Sequence, residues 1–572
     1  MPLVDGDPCA ELKEMLGDNS IESFSLQAVT PDIVLKTGRK MKKTKSMGQD
    51  DIPSDLFLLA LPHMLPAVTH IYNLSVAQGK FPSMWKVSKI CPLFKGGDKS
   101  SKEEPKQYRP VALLSAPARL LEKIICNQVM EHLYGRQLFH SQNHGYRKYH
   151  GTITAVLEAQ EDALEAMDSG NILGIITLDQ SAAFDIIEHR ILESKMKLYG
   201  FNNHALQWFQ SYLKDRSQYV AIESSVSEEK RIGPFSCPQG SCLGPLLWNL
   251  YCGEVAEVLP LHCKEEEEVE FHGSRKEMKE RWRLGKLIQY ADDLMILVTG
   301  KTLDSVRLKA AGAFKVMSEW CLRNRLKLNS LKTHFMFVLT RQRATGKDTQ
   351  STVEFGDSEV TPSVSERILG ITLESNLAVN EHLVSGSCSI LSQVSTKMRA
   401  LWMIRKHLSF KSRKVTAWGL VMSKILYGIE VWGPAATERQ IEQMQSLQNS
   451  LIRWVCGAGR RTRSADLLVM TGMMSIRQLI MYRVLVFGLV VLWNDSPKSI
   501  KWRSEISRKL KTTTKSYRYF LGKMMVRLPA RLLQVDPRKN KSEIKRWILS
   551  NIPPKERWEG LGECTEDSDE ES

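Results

Sequence analysis

The stretch Leu287-Ile288-Gln289-Tyr290-Ala291-Asp292-Asp293-Leu294-Met295-Ile296-Leu297-Val298 constrains this chain more than any other. Two adjacent carboxylates stand between two short apolar runs, a pattern that predicts strand, tight turn, strand. Neighbouring strand residues point to opposite faces, so a turn is needed to bring both acids to one point. Acids flanked by apolar strands are costly unless a cation compensates them. Lys, Arg or a hard divalent ion can do so, and Mg²⁺ prefers carboxylate oxygens. An exposed turn accounts for the stretch equally well, because Asp is a common turn residue. Asp50-Asp51 has no strand-like flanks and reads as a plain loop. A third carboxylate and a matching substrate site would decide between the two.

The bulk numbers narrow the partner. At 572 residues the chain can hold three or more units with their own cores. Lys and Arg total 79 against 64 Asp and Glu, a net charge of +15, which favours a polyanionic partner, nucleic acid or an acidic membrane surface. The eleven cysteines form no CxxC and no paired Cys/His spacing, so zinc is not indicated and reduced thiols are expected. The start has no basic-then-apolar signal segment. The apolar run Leu479 to Trp493 contains Arg483 and is too short to span a bilayer, so it is expected to be a buried helix. The expectation is a soluble intracellular protein, cytoplasmic or nuclear, with no membrane partner.

Taken in order, the chain reads as mixed helix and strand. Ser54 to Gln78 predicts a helical pair, Trp85 to Phe94 a strand, 95–102 a polar turn, and Tyr108 to Leu114 the returning strand. Lys95 and Arg109 stand at the ends of that hairpin, where forked and point-charge cations suit a triphosphate; most surface cations simply solvate. Ala116 to Leu138 and Thr152 to Met167 read as amphipathic helices. Asn171 to Leu178 is an apolar run of strand length that ends on Asp179, and strand carboxyl ends are where α/β sites are commonly built. Asp185 is expected in or near the first turn of the next helix, where an acid suits the dipole, so Asp179 is assigned to chemistry and Asp185 to structure.

Residues 203–215 read as a helix and Tyr219 to Gly233 as an antiparallel hairpin. Pro238-Gln239-Gly240-Ser241-Cys242-Leu243-Gly244-Pro245 is a Gly-rich turn opening an apolar helix. Residues 254–286 read as an exposed insertion. After the acid hairpin come a helix from Leu303 to Asn324, a lysine turn through Lys332, a strand from His334 to Leu339 and one short strand from Arg367 to Leu373. Residues 376–495 read as a helical bundle. Within it 397–414 holds Lys397, Arg399, Arg405, Lys406, Lys411, Arg413 and Lys414, no acid, and interleaved Trp402 and Phe410. One acid at a strand end plus a pair at a hairpin tip can hold two divalent ions, the requirement of phosphoryl displacement by a nucleotide polymerase.

These motifs resemble the reverse transcriptases of non-LTR (LINE-type) retrotransposons. Tyr290-Ala291-Asp292-Asp293 is similar to the family's YADD box, Leu178 to Asp185 to its first acidic motif, and Pro238 to Pro245 to its template/nucleotide turn. Tyr108 to Leu114 and Gly145-Tyr146-Arg147-Lys148 resemble fingers motifs; Leu328 to Thr333 and Ile368-Leu369-Gly370 resemble later palm segments. The resemblance implies an α+β right-hand polymerase, with fingers and an antiparallel palm sheet followed by an all-helical thumb. The implied boundaries are an N-terminal extension over 1–44, fingers over 45–170 and palm over 171–375, the reverse transcriptase domain covering about 75–373. A helical thumb over 376–495, a basic extension over 496–558 and an acidic disordered tail over 559–572 follow.

The same resemblance implies an RNA-directed DNA polymerase with residue roles. Asp179, Asp292 and Asp293 would ligate two Mg²⁺, with Mn²⁺ as the substitute. Lys332 would protonate pyrophosphate or serve as a plain turn cation. Lys95, Arg109, Gln239 and Gly240 would bind nucleotide, and Phe184 would be the sugar gate or, alternatively, a core aromatic. Arg147 and the 397–414 cations would bind nucleic acid. Template RNA, DNA primer, dNTPs and an endonuclease supplied elsewhere are the implied partners. Ala182 stands where such elements often carry Lys, and Tyr146 where Phe is usual. With neither an upstream endonuclease nor an RNase H-like segment recognised, a truncated copy is expected. A catalytically silent copy that only binds RNA or DNA is the alternative.

Overall fold

The computed structural model describes residues 6–17, 21–95, 103–180, 185–259, 285–329, 332–340, 343, 350–356, 358–493, 517–533 and 536–552. Outside them lie the hairpin tip 96–102, Phe184, most of the 254–286 stretch, half of the basic extension and the acidic tail. Helix and sheet are mixed, and the chain divides into two compact units. One comprises 1–146, 178–295 and 312–333, the other 147–177, 296–311 and 334–572.

Nine strands are used below: β1 (Val87–Phe94), β2 (Tyr108–Leu113), β3 (Ile172–Asp179), β4 (Ser217–Ile222), β5 (Ser225–Val226), β6 (Lys230–Arg231), β7 (Lys286–Tyr290), β8 (Asp293–Gly300) and β9 (His334–Val338). In the first unit β1 and β2 form the expected hairpin, from Phe94 opposite Tyr108 to Lys89 opposite Leu113. The antiparallel hairpin expected over Tyr219 to Gly233 is present in the pairing of β4 with β5 and β6, while the parallel pairing of β4 was not legible. β4 adds to β1 in parallel, Val87 opposite Ser217, and β5 and β6 both pair with β4, giving five strands in one sheet. Parallel pairing needs a long crossover, so periodicity along one segment carries no sign of it.

The sequence 54–78 folds as one helix, Ser54–Gln78, rather than a helical pair. Pro62 and Pro66 each remove one backbone donor, but both side chains face solvent while Phe57, Leu61, Val68, Tyr72 and Val76 are buried. Burial of one face holds the helix through two prolines, and Gly79 ends it in the left-handed region at φ +60°. The helix after Asp179 starts at His189. Glu188, not Asp185, caps it, accepting from the backbone N–H groups of Arg190 and Ile191 at 3.3 and 3.0 Å. Residues 254–259 correct the expected exposed insertion. Glu254 is fully buried, and Val255, Ala256, Val258 and Leu259 are core.

A second sheet runs in the order β7-β8-β3-β9. The carboxyl end of β3 and the amino end of β8 belong to the first unit. Leu287, Ile288, Leu294, Met295, Ile296, Leu297, Val298, Ile175 and Ile176 are all at or below 3% exposure, which is why these strands read as continuous apolar runs rather than as alternating ones.

In the second unit β9 pairs antiparallel with β3, Leu173 opposite Val338. The expected single strand at 367–373 is a hairpin, Ser365–Ile368 against Ile371–Glu374, turned by Leu369 and Gly370 at positive φ. A one-strand reading missed it because Gly370 lies inside an otherwise apolar run. Helices then dominate, as expected, including Ile390–Ile404, Phe410–Thr416, Glu438–Cys456 and Ile476–Trp493. Trp432 and Trp454 are fully buried among them, and the Trp454 indole N–H donates to the Leu401 carbonyl at 2.8 Å. Ile476–Trp493 buries Ile480, Met481, Val484 and Leu485 completely. No single helix among the described residues is long and apolar enough to cross a membrane.

Candidate active site

Asp179 is the last residue of β3, and the lysine turn is laid along it. The Asn329 N–H donates to the Asp179 carbonyl at 3.1 Å, Gln180 forms a bridge with Leu328, and the Lys332 N–H donates to Asn329. This backbone arrangement brings the Lys332 ammonium to 2.8 Å from Asp179 Oδ2.

The acid turn is two residues long, Ala291 and Asp292, and Asp293 is already the first residue of β8. Such a turn requires a left-handed residue, and Ala291 takes φ +55°. A non-glycine residue there costs about 1–2 kcal/mol. The buried Trp248 indole offsets that cost, donating to the Ala291 carbonyl at 3.0 Å. Trp248 lies on the helix Gly244–Cys252 that the Pro-Gln-Gly turn opens.

Charge ties these pieces into one site. Loss of water, with the Asp179 charge adding to it, holds the Asp292 carboxyl above its ordinary value, while Arg109 and Lys332 pull it back. Loss of water and the charges of Asp292 and Asp179 push Asp293 up to about 6, with Lys332 opposing. A carboxylate held high is one short of positive charge. The donor set therefore fits a hard divalent cation, which takes oxygen ligands. As the side chains stand, no three His, Cys, Asp or Glu groups among the described residues converge closely enough to hold a metal ion, and Lys332 engages Asp179 instead.

The hairpin cations lie where their strands carry them. Arg109 sits opposite Leu93 and is exposed, and the Lys95 N–H donates to the Gln107 carbonyl at 2.9 Å. The Pro-Gln-Gly turn rests on the same strand as Arg109. The Ala112 N–H donates to the Gln239 carbonyl at 2.7 Å, and a Cβ on Gly240, whose φ is +124°, would stand 2.7 Å from the Ala112 carbonyl oxygen. Gln239 also carries a buried side-chain oxygen, Oε1, with no hydrogen-bond partner among the described residues.

Arg147 falls just past the division, in the second unit, and is half-buried. The seven 397–414 cations are in that unit too, and three of them have structural partners. Lys397 donates to the Leu420 carbonyl at 3.1 Å, Arg413 to Trp454 at 3.5 Å and Lys414 to Thr471 at 2.8 Å. The last two carbonyls are at helix carboxyl ends, where cations are favoured. Arg405 stacks over Trp402 at 5.2 Å, while Arg399, Lys406 and Lys411 are exposed.

Trp248 and Glu122 escaped the sequence reading, and Tyr146 entered it only as a motif residue standing where Phe is usual. Trp248 looked like core, and no sequence signal marks its indole N–H. Tyr146 has φ +54°, and burial together with the Asp292 charge raises its phenol. Glu122 is fully buried; it accepts from the Cys242 N–H at 2.7 Å and the Tyr212 hydroxyl at 3.0 Å, anchoring the Pro-Gln-Gly turn from behind. An acid at an apolar register of the helix Ala116–Gly135 was a readable signal for it.

Comparison with known proteins identifies the class. Residues 98–373 match the family described as reverse transcriptase (RNA-dependent DNA polymerase). The chain is 26% identical over 434 residues to the probable RNA-directed DNA polymerase from transposon BS of Drosophila melanogaster, covering 75% of this chain and 45% of that relative. It is 24% identical over 461 residues to the RNA-directed DNA polymerase from mobile element jockey of the same fly, covering 80% and 47%. A third relative is the putative 115 kDa protein of its type-1 retrotransposable element R1DM, 24% identical over 438 residues, covering 76% and 39%. The chain thus carries a reverse transcriptase domain. Its similarity to these polymerases of non-LTR elements extends beyond residue 373. The chain spans less than half the length of these relatives.

Proposed function

We propose that this chain is an RNA-directed DNA polymerase that extends the 3′-hydroxyl of a DNA primer on an RNA template with dNTPs. The observation that carries the reading is the shared field of Asp179, Asp292 and Asp293, with Lys332 on Asp179 and the Arg109 charge acting on Asp292. The β1–β2 hairpin and its surroundings serve as fingers, the sheet with the acid turn as palm and 376–495 as thumb. Asp179, Asp292 and Asp293 hold the divalent cations, Mg²⁺ or Mn²⁺. When bound, these supply Lewis acidity at the attacking and leaving oxygens of an in-line displacement.

The remaining steps belong to side chains. Lys95 and Arg109 neutralise the triphosphate, Arg109 by forked hydrogen bonds. Gln239, whose amide oxygen has no partner among the described residues, and the bare backbone of Gly240 contact the template and nucleotide. Phe184 excludes a ribose 2′-hydroxyl. Lys332 leaves Asp179 as the site fills and carries the proton for departing pyrophosphate. Arg147, Arg399, Lys406 and Lys411 bind phosphate backbone, and an endonuclease activity cuts the DNA that supplies the primer.

Primer extension on poly(rA)/oligo(dT) tests the proposal. Wild type is expected to incorporate dTTP, and Asp292→Ala to lose incorporation by about a hundredfold or more, since it removes a charge that must stabilise the transition state. Equal incorporation by both proteins would overturn the assignment. Template binding without incorporation by wild type would favour the silent nucleic-acid-binding alternative.

A further inference from the structure

Behind the acid turn lies a polar cluster that the proposed reaction does not use. Asn143, His144, Asn249 and Gln289 are each at most 2% exposed. Burying four polar side chains in one place is unfavourable unless they are hydrogen-bonded; the two asparagines are, and the Gln289 amide N–H reaches the Ala291 carbonyl at 3.4 Å while its Oε1 has no partner among the described residues. The Asn249 amide donates to the Gly145 carbonyl at 3.0 Å, and the Gly145 N–H donates to Asn143 Oδ1 at 3.0 Å. The Asn143 amide reaches Asn249 Oδ1 at 3.4 Å. The ring so formed grips residue 145 from both its backbone polar groups.

Residue 145 matters because of what it touches. A Cβ built on Gly145 would come to 2.5 Å from the Ala291 backbone nitrogen, so the bare backbone is pressed against the turn. On either side of Asn143 the same segment is stitched to β7. The His144 N–H donates to the Gln289 carbonyl at 2.7 Å, and the Gln289 N–H to the Gln142 carbonyl at 3.0 Å. Held from this side, and from the other by the Trp248 indole, Ala291 keeps its left-handed conformation, and the peptide that follows it aims Asp292.

We propose that Asn143 and Asn249 are positioning residues for Asp292, acting through the Gly145 backbone on the acid turn. The inference rests on the polymerase reading for its kinetic consequence. Its geometric content is independent of that reading. Neither amide touches the acids; each fixes the backbone that fixes them. The two act as one device, so losing either releases Gly145 and losing both adds little more.

The test uses the full chain with Asn143→Ala, Asn249→Ala and the double substitution. Three readouts are taken: steady-state dTTP incorporation, calorimetric titration with Mn²⁺ in the absence of substrate, and thermal melting. Each single variant is expected to lower kcat about tenfold or more, as a displacement of order 1 Å at a reacting centre does, with KM for dTTP within about twofold. Mn²⁺ affinity is expected to fall by a similar factor, and the double variant to match the worse single one. Unchanged kcat and Mn²⁺ affinity in Asn249→Ala would overturn the inference, as would losses that track the unfolded fraction while affinity per folded molecule stays constant. If wild type is inactive but Asn249→Ala still weakens Mn²⁺ binding, the polymerase reading fails and the positioning role stands.

Discussion

Lys332 and Asp179 are 153 residues apart in sequence and 2.8 Å apart in space. Their contact places a positive charge directly on one of the site's three acids. One of the three carboxylates, Asp179, is paired with an ammonium, while loss of water and the charges of Asp292 and Asp179 hold Asp293 high, at about 6. Single residues elsewhere carry their own titration. Burial lowers His382 from 6.5 to about 4, with Lys424 and Arg367 adding to the effect, and its Nδ1 accepts from the Thr372 N–H at 3.3 Å. The fold therefore excludes a proton that the unfolded chain binds. The stability this confers is complete above about pH 6.5 and is lost as pH falls toward about 4, by up to about 3 kcal/mol. Melting temperature measured across that window is expected to fall more steeply for wild type than for His382→Gln, which cannot titrate. Parallel curves would show that His382 is not the group responsible.

Elements decide what the residues can reach. The Pro-Gln-Gly turn meets β2 through one backbone hydrogen bond and one close approach, and Glu122 holds it from the other side. Gly240 therefore answers two demands, a φ of +124° and the space at Ala112. Gly240→Ala is expected to cost about 1–3 kcal/mol of stability. It should also raise KM for dNTP more than it lowers kcat, because the proposed function has the turn contact the nucleotide rather than the acids. A kcat loss at constant KM would place the turn's influence on Asp179 or Asp292 instead. Element types were largely readable: the β1–β2 hairpin, the strand ending on Asp179 and the helices after 376 all follow from periodicity. Where reading failed, a tertiary contact had overridden a local signal. Burial of one face carried Ser54–Gln78 through two prolines, and Glu254, at the start of the stretch expected to be an exposed insertion, is fully buried against Lys195 as an ion pair also bonded to Asn324.

For the whole molecule, a net charge of +15 sets the expected response to salt. Each phosphate neutralised by a cation releases counterions, so template affinity should fall with salt at a slope proportional to the number of contacts. Replacing the exposed Arg399, Lys406 and Lys411 by Ala is expected to lower that slope by about two to three, at roughly 0.7–0.9 per contact. Replacing Lys414, which donates to the Thr471 carbonyl, should instead destabilise the fold and leave the slope unchanged. Equal slopes for wild type and the triple variant would remove this surface from the nucleic-acid path.

The sequence by itself determined the order and type of the motifs, because two adjacent acids between apolar runs, an acid ending a buried strand and a Gly-rich helix opening are each local patterns with local physical causes. The similarity to reverse transcriptases was legible for that reason. Only the tertiary structure decided which groups share a field, which cations are already engaged, and what holds the acid turn in shape. Those depend on contacts among residues 143, 248, 249 and 291, far apart along the chain, and on burial, which leaves no mark on the identity of an Asn or a Trp.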